Sequence, residues 1–247
     1  MSSNLRIHIV PIGFEFRRVT EPIIKMQADK AYLITFRKND SASKFFSEIK
    51  RELNEKFRHI KIEEVFIDIW DLHACIEKFR EIILSEKRNH VYINVSTGTK
   101  ITSIAGMLSC MLWGAIPYYA PVSYPHPKKV KIPTEHVLDS EILPVYDINK
   151  PKNEYMKILN LMKTNEGKLR KSKMILELEN MKILRTKDEE GNELTGPAKH
   201  SQLRALLDPM EKVWHYVKVE SSGRRSEVIL TEQGETALKI FGCEDMN

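Results

Sequence analysis

The sequence predicts an α/β fold in which a doubly wound, mostly parallel sheet with helices on both faces is followed by a smaller winged helix-turn-helix domain. Strand-like and helix-like stretches alternate four times through the first 120 residues, at spacings of roughly 30 residues that are typical of βαβ units. From residue 154 the pattern changes to three short helical stretches, a hairpin and a final helix. This change predicts a second domain.

Short apolar runs rich in β-branched residues predict five strands, at residues 5–10, 31–36, 61–69, 91–95 and 115–120. Helical spacing predicts helices at 21–28, 42–57, 71–87 and from residue 100 onward, with Ser41 as N-cap of the second. A chain that winds outward and then returns gives the sheet order 3-2-1-4-5. His8, inside the first strand, is expected to be a buried structural histidine.

In such a sheet, ligands bind at the carboxyl ends of the first and fourth strands, where the strand order reverses. Residues 11–18 (PIGFEFRR) follow the first strand and residues 96–100 (STGTK) follow the fourth. We therefore expect these two turns to face each other across one cleft, flanked by the loop at 37–40. Because Arg17 and Arg18 are adjacent, one is expected to face the cleft and the other solvent.

The turn at 96–100 suits an anion. A helix that begins here points free N–H groups and the positive end of its dipole over the turn. Hydroxyls, a missing side chain and a positive charge all fit a phosphate or nucleotide, and they are supplied by Ser96, Thr97, Gly98, Thr99 and Lys100. An ordinary N-capped helix start explains the same residues equally well.

Composition excludes several function classes. A net charge of +5, with 42% hydrophobic and 30% charged residues, describes an ordinary soluble protein and permits a nucleic-acid partner. Three widely spaced cysteines predict no disulfide or metal site, and without G-x-G-x-x-G or a P-loop most dehydrogenase and NTPase functions lose support. We expect no cofactor.

No signal-peptide pattern or bilayer-spanning stretch is found, so we expect a cytoplasmic protein with no membrane partner.

Six prolines between residues 121 and 151 exclude long helices there and leave room only for short edge strands, at 130–132 and 142–146. The segment Asn149-Lys150-Pro151 has the composition of a linker. We therefore place the domain boundary here, which gives domains at residues 1–149 and 150–247.

The C-terminal region predicts helices at 155–162, 169–178 and 201–210, a hairpin with a basic tip between 214 and 230, and a final helix capped by Thr231. In a winged helix-turn-helix the helix before the hairpin enters the major groove and the hairpin tip reaches phosphates. The DNA-binding residues expected here are Lys199, Arg204, Arg224 and Arg225. Residues 151–247 carry a net charge of only +1, so a dimerisation or protein-interaction role stays open.

Together, the turn at 11–18, the motif NVSTGTKI at 94–101 and the C-terminal winged helix resemble the CARF (CRISPR-associated Rossmann fold) regulators of archaea, in the group with a winged helix-turn-helix. The resemblance implies a Rossmann-like domain that forms a homodimer and binds a cyclic oligoadenylate as effector, and double-stranded DNA as partner of the winged helix. It assigns ligand binding to Gly13, Phe14, Arg17, Ser96, Thr97, Gly98, Thr99 and Lys100. The candidates for stacking on adenine are Phe14, Phe16 and Tyr124.

The leading interpretation is a CRISPR-associated, ligand-responsive transcription regulator of antiviral defence. Two alternatives stay open. Some CARF domains cleave their own ligand without a metal, and the candidates for such ring-nuclease activity are Ser96, Thr97 and Lys100. The other alternative is a dimeric scaffold whose winged domain binds protein rather than DNA.

Overall fold

The structure is a computed structural model that describes residues 4–36, 43–57, 59–123, 136–222 and 225–242. The chain divides into two compact units, Met1–Asn149 and Lys150–Asn247. In the described ranges, no helix is both long enough and apolar enough to cross a membrane.

The first unit is built around a six-stranded sheet with the order β3-β2-β1-β4-β5-β8. Its parallel strands are β1 (Arg6–Pro11), β2 (Lys30–Thr35), β3 (Lys61–Phe66), β4 (His90–Asn94) and β5 (Ile116–Tyr119). This order confirms the predicted 3-2-1-4-5 arrangement. A two-stranded ribbon of β6 (Val122–Ser123) and β7 (His136–Val137) precedes β8 (Glu141–Ile142), which joins the sheet antiparallel to β5.

Four helices cover the sheet: α1 (Phe16–Lys25), α2 (Ser43–Lys56), α3 (Leu72–Ser85) and α4 (Lys100–Trp113). Right-handed crossovers place the helices on one face while the chain winds in one direction and on the other face after the direction reverses. Accordingly, α1 packs against α2 and α3 packs against α4. The inner strands β1, β2 and β4 are largely buried, and β1 is buried over its last five residues.

The first helix begins at Phe16, five residues earlier than the predicted start at residue 21. Pro22 lies inside it, and a proline inside a helix removes the N–H that bonds the carbonyl four residues earlier. That carbonyl belongs to Arg18, and it instead accepts a 3.0 Å hydrogen bond from Nδ2 of Asn94, at the end of β4. A side chain distant in the sequence therefore completes α1, which local patterns do not reveal.

Two other elements are shorter than predicted. The third strand ends at Phe66 rather than at residue 69. Of the strand predicted at 142–146, only Ile142 is in a strand, as the last residue of β8 (Glu141–Ile142). The predicted loop at 37–40, the N-cap Ser41 and the edge strand at 130–132 lie outside the described residues.

His8 is fully buried in the middle of the sheet, as predicted. Its Nδ1 lies 3.2 Å from the Tyr118 hydroxyl, and its ring stacks on that of Tyr92 with the ring centroids 5.1 Å apart. Burial, with a smaller contribution from the charge of Arg6, lowers the pKa of His8 to about 3. The imidazole is therefore neutral in the folded protein.

Because His8 is neutral in the folded protein, we expect the free energy of unfolding to depend on pH. The unfolded chain protonates His8 near pH 6.5 while the folded chain does not, so the unfolded state binds more protons between pH 6.5 and 3 and stability falls as the pH falls. We expect His8 to account for a loss of about 2 kcal/mol between pH 7 and 5. Urea unfolding of the wild type and of His8→Phe at both pH values measures this loss. An equal pH dependence in the two proteins would contradict the prediction.

The second unit contains α5 (Asn153–Thr164), β9 (Lys168–Arg170), α6 (Lys171–Asn180), α7 (Gly196–Lys212), β10 (Val217–Ser222), β11 (Arg225–Leu230) and α8 (Glu232–Phe241). Three helices, a hairpin and a last helix form the predicted winged helix-turn-helix around a single apolar core. Thr231 caps α8 as predicted, because its hydroxyl accepts the N–H of Gly234 at 3.1 Å.

Two segments of the second unit differ from the sequence expectation. Residues 169 and 170, the start of the helix predicted at 169–178, instead belong to β9, which pairs with β11. Leu169 buries its side chain while its two neighbours face solvent. The helix predicted at 201–210 begins five residues earlier, at Gly196, with Pro197 in its first turn.

Candidate functional site

The turns that follow β1 and β4 lie against each other at the carboxyl edge of the sheet. A Cβ placed on Gly13 would lie 3.0 Å from the backbone nitrogen of Gly98 and 3.3 Å from its Cα. The two turns thus approach closely at these glycines, and a side chain at Gly13 would force the backbone of Gly98 to move. The sheet order predicts this meeting of the two turns.

Gly98 is also required by its own conformation. Its φ is +80°, a region that side chains other than glycine rarely adopt. A Cβ here would lie only 2.6 Å from Cβ of Pro11 and 2.6 Å from Oγ1 of Thr102. The turn therefore holds its shape only with glycine at this position.

A cavity of about 610 Å³ opens where the two turns meet, within the size range of small-molecule sites. We call it the crevice. Its lining residues are Ile12, Gly13, Phe14, Glu15, Phe36, Ile69, Trp70, Gly98, Thr99, Lys100 and Ile101. Five of the eight predicted ligand-binding residues are among them: Gly13, Phe14, Gly98, Thr99 and Lys100.

Helix α4 begins at the wall of the crevice. The Thr99 hydroxyl accepts the N–H of Thr102 at 3.1 Å, and the Thr102 hydroxyl accepts the N–H of Thr99 at 2.9 Å. This reciprocal capping leaves the N–H groups of Lys100 and Ile101 without an acceptor in the described part of the chain. The exposed side chain of Lys100 stands at the same helix end. The wall therefore offers amide donors, a helix dipole and a cation to an anion.

Ser96 and Thr97 do not line the crevice. The Ser96 hydroxyl donates to Oδ1 of Asn94 at 2.5 Å and accepts the N–H of Ala120 at 3.1 Å. The Thr97 hydroxyl, only 2% exposed, donates to the carbonyl oxygen of Pro11 at 2.7 Å. The hydroxyls of these two predicted ligand-binding residues tie the turn after β4 to its neighbouring strands.

Neither Arg17 nor Arg18 lines the crevice, although one of them was expected to face it. Arg17 lies over a separate groove between α1 and α2, where its Nη1 is 3.8 Å from the carboxylate of Glu21. Arg18 is buried, donates from Nε to the carbonyl oxygen of Ala120 at 2.9 Å and lies over the Tyr119 ring. Both arginines sit in the first turn of α1, which begins earlier than the sequence pattern indicates.

The aromatic residues of the crevice are only partly those expected. Phe14 is 61% exposed and meets Phe45 edge to face, whereas Phe16 packs against the apolar core. Tyr124 lies outside the described residues. Sequence reasoning missed Phe36 and Trp70, which follow β2 and β3. Both could have been predicted from the sequence, because every parallel strand of this sheet ends at the same edge and each of these residues follows such a strand.

One acidic group also reaches the crevice. A carboxylate oxygen of Glu15 lies 2.6 Å from the point where a Cβ on Gly13 would stand, beside the turn at 96–100. Among the described residues, the charged groups that line the crevice are the carboxylate of Glu15 and the ammonium group of Lys100. Among the described residues, no group of histidine, cysteine and acidic side chains is arranged to hold a metal ion.

In the second unit, α7 occupies the position of a recognition helix, and the predicted DNA-binding residues differ in their surroundings. Arg204 is 77% exposed on α7 and lies 3.5 Å from Asp208. Lys199 instead forms a 2.7 Å ion pair with Glu179 of α6, in which the side chains are 23% and 11% exposed. Lys199 therefore joins α7 to α6.

One further predicted DNA contact, Arg225, belongs to the hairpin of β10 and β11. Arg225 is the first residue of β11, where it pairs with Ser222 of β10, so it stands at the tip of the hairpin as predicted. Arg224 lies outside the described residues.

In a comparison with known proteins, the two units match different family models. The family model described as HFX_2341_N:-like, N-terminal, matches residues 6–124, and the model of the DUF6293 C-terminal winged helix domain matches residues 154–242. The second unit is a winged helix domain. An uncharacterized protein of Methanocaldococcus jannaschii, MJ1513, is 34% identical over an alignment of 124 residues that covers 46% of this chain and 37% of the relative. The chain thus spans little more than a third of that relative.

Two solved structures are among those to which this chain is similar. Can2 from Sulfobacillus thermosulfidooxidans, in complex with cyclic tetra-adenylate, is 11% identical with a TM-score of 0.43, over 92% of this chain and 77% of Can2. Enterococcus italicus Csm6, bound to cyclic hexa-2'-fluoro-hexa-dAMP, is 15% identical with a TM-score of 0.42, over 87% of this chain and 57% of Csm6.

Proposed function

We propose that this protein is a CRISPR-associated transcription regulator of the cytoplasm whose N-terminal domain, as a CARF homodimer, binds a cyclic oligoadenylate and whose winged helix domain binds double-stranded DNA. The observation that carries the proposal is the contact between Gly13 and Gly98. It places the start of α4 and the Lys100 ammonium at one open crevice at the reversal point of the sheet.

The chemistry of the crevice favours a nucleotide over a simple anion. The amides of Lys100 and Ile101 at the start of α4, with the Lys100 charge, match a phosphate. The exposed ring of Phe14 offers an apolar face to a base. The resemblance of residues 11–18 and 94–101 to CARF turns points to a cyclic oligoadenylate in particular.

A cyclic ligand also supports a homodimer. A ring of repeated nucleotides has its own symmetry and is matched by two copies of one site across a two-fold axis. Ile104 is 50% exposed on α4, one turn beyond Lys100, and residues four apart lie on the same side of a helix. An apolar side chain is thus available to a second copy next to the crevice.

The DNA-binding part of the proposal rests on the winged helix domain. Its recognition helix α7 carries Arg204 exposed, and Arg225 stands at the hairpin tip. Paired recognition helices must match half-sites about one turn of DNA apart. A change in the dimer of N-terminal domains on ligand binding would therefore alter DNA affinity.

A thermal-shift titration with cyclic tetra-adenylate and cyclic hexa-adenylate tests the ligand. A ring that binds only the folded state raises the melting temperature of the N-terminal domain in proportion to the logarithm of its concentration. Absence of a shift with both rings would contradict the proposal. Analysis of the ring after long incubation separates the regulator from the ring nuclease, because a regulator leaves it intact.

Removing the charges of α7 and the hairpin tip is expected to weaken DNA binding. The double substitution Arg204→Ala and Arg225→Ala should lower the affinity for all duplex sequences about tenfold. It should also reduce the slope of log Kd against the logarithm of the salt concentration by about two, one for each charge removed. Fluorescence anisotropy with labelled duplexes over a salt series measures both quantities.

Lys212→Ala is the control for the Arg204 substitution. Lys212 is the last residue of α7, whereas Arg204 lies near the middle of the helix. Like Arg204, Lys212 approaches Asp208, at 3.6 Å, so the control removes a similar ion pair and one positive charge from the C-terminal end of the helix. Unchanged DNA affinity in the double variant would favour the scaffold, in which the winged domain binds protein.

A further inference from the structure

Trp70 is the largest exposed apolar side chain of the crevice. It is 66% exposed, although a buried tryptophan contributes more apolar contact than any other residue. It lines the crevice together with Phe14, which is 61% exposed. Two exposed aromatic side chains at one cavity, beside free helix amides, indicate a surface that a ligand covers.

The backbone turn that carries Trp70 is fixed by its own hydrogen bonds. Oδ1 of Asp68 accepts the Trp70 N–H at 3.0 Å, and the Asp68 carbonyl accepts the N–H of Asp71 at 3.2 Å. Asp71 in turn caps α3 with its side chain. The indole is therefore presented from a turn anchored to a helix rather than from an unsupported loop.

The same turn is also joined to the start of α4. The Thr99 hydroxyl donates a 2.9 Å hydrogen bond to the carbonyl oxygen of Ile69, the residue before Trp70. Thr99 precedes Lys100, so one side chain sets the spacing between the tryptophan and the anion-binding end of the helix. The structure thus holds an aromatic face and a phosphate-binding element in a fixed relation.

We infer that Trp70 is the platform on which a nucleobase of the bound ligand stacks, while the start of α4 and Lys100 hold the adjacent phosphate. The inference rests on the proposed function and adds the residue that recognises the base. Stacking buries the face of the indole and is possible with any purine base. Each nucleotide of the cyclic ligand would thus be held at its base by an aromatic contact and at its phosphate by charge.

The test uses the full-length protein with cyclic tetra-adenylate and cyclic hexa-adenylate as probes. Trp70→Ala is expected to weaken binding of the preferred ring roughly 10- to 100-fold, and Trp70→Phe, which keeps an aromatic face, less than about fivefold. A second measurement uses the variant Trp113→Phe/Trp214→Phe, in which Trp70 is the remaining tryptophan of the sequence. Its fluorescence should be quenched on titration with the ring.

Each outcome decides the inference. If the wild type binds a ring but Trp70→Ala binds it equally well and the Trp70 fluorescence is unchanged, the inference fails and the proposed function stands. If neither ring binds the wild type, both fail. Analytical ultracentrifugation of Trp70→Ala tests whether Trp70 instead contacts a second copy of the chain. If Trp70→Ala loses affinity only because its dimer dissociates, the inference is also overturned.

Discussion

Replacing Gly98 by alanine is expected to abolish ligand binding and to lower the free energy of unfolding of the N-terminal domain by about 2–4 kcal/mol. The φ of +80° is strained for any residue with a side chain. The added methyl group would also stand 2.6 Å from atoms of Pro11 and Thr102. Pro11 directly precedes the lining residue Ile12 and Thr102 directly follows the lining residue Ile101, so relief of the clash moves the wall of the crevice. Urea unfolding and a binding titration measure the two effects.

Gly114→Ala is the matched control for this substitution. Gly114 has nearly the same φ, +79°, but a Cβ there would meet no atom within 4 Å. This variant isolates the backbone strain, about 1 kcal/mol, and is expected to bind ligand as the wild type does. Equal losses of stability in the two variants would show that the contact between the turns contributes nothing.

Reversing the charge of Lys100 is expected to weaken binding of a cyclic oligoadenylate about 100-fold while leaving the fold intact. The side chain is exposed at the start of α4, so Lys100→Glu removes no packing. It replaces a phosphate-binding cation by a carboxylate and adds to the negative charge of Glu15 in the same crevice. Isothermal titration calorimetry measures the affinity, and circular dichroism verifies the fold.

Lys87→Glu is the control for Lys100→Glu. Lys87 is equally exposed, but it follows α3 and precedes β4, at the amino edge of the sheet, away from the crevice. Its reversal changes the net charge of the protein by the same amount. We expect unchanged affinity for this variant. Comparable losses in both variants would mean that overall charge, rather than a contact of Lys100, attracts the ligand.

Much of the fold follows from local patterns. The β-branched runs of β1, β2 and β4 are buried on both faces, so they are continuous apolar segments in the sequence and predict parallel strands directly. Gly13 and Gly98 could also be predicted as neighbours, because the reversal of strand order brings the ends of β1 and β4 together.

The remaining features depend on contacts between distant residues. Ser96 and Thr97 have the side chains of phosphate ligands, yet their hydroxyls bond to Asn94, Ala120 and Pro11. Nothing local distinguishes a hydroxyl that binds a ligand from one that binds the next strand.

Two positions illustrate opposite reasons for a missed prediction. The position of Arg17 away from the crevice follows from the early start of α1, which depends on the Asn94 bond to the Arg18 carbonyl. This information lies in tertiary contacts. Trp70, in contrast, could have been found from the sequence, by treating the end of every parallel strand as part of the site.

The hydrogen bonds of Ser96, Thr97 and Thr99 have a thermodynamic consequence for recognition. They fasten the turn after β4 to three different segments of the chain, ending at Ala120, Pro11 and Ile69. The entropy lost in ordering this wall is therefore lost during folding. A ligand meets a preorganised surface, and its contacts contribute to affinity without a conformational penalty on this side.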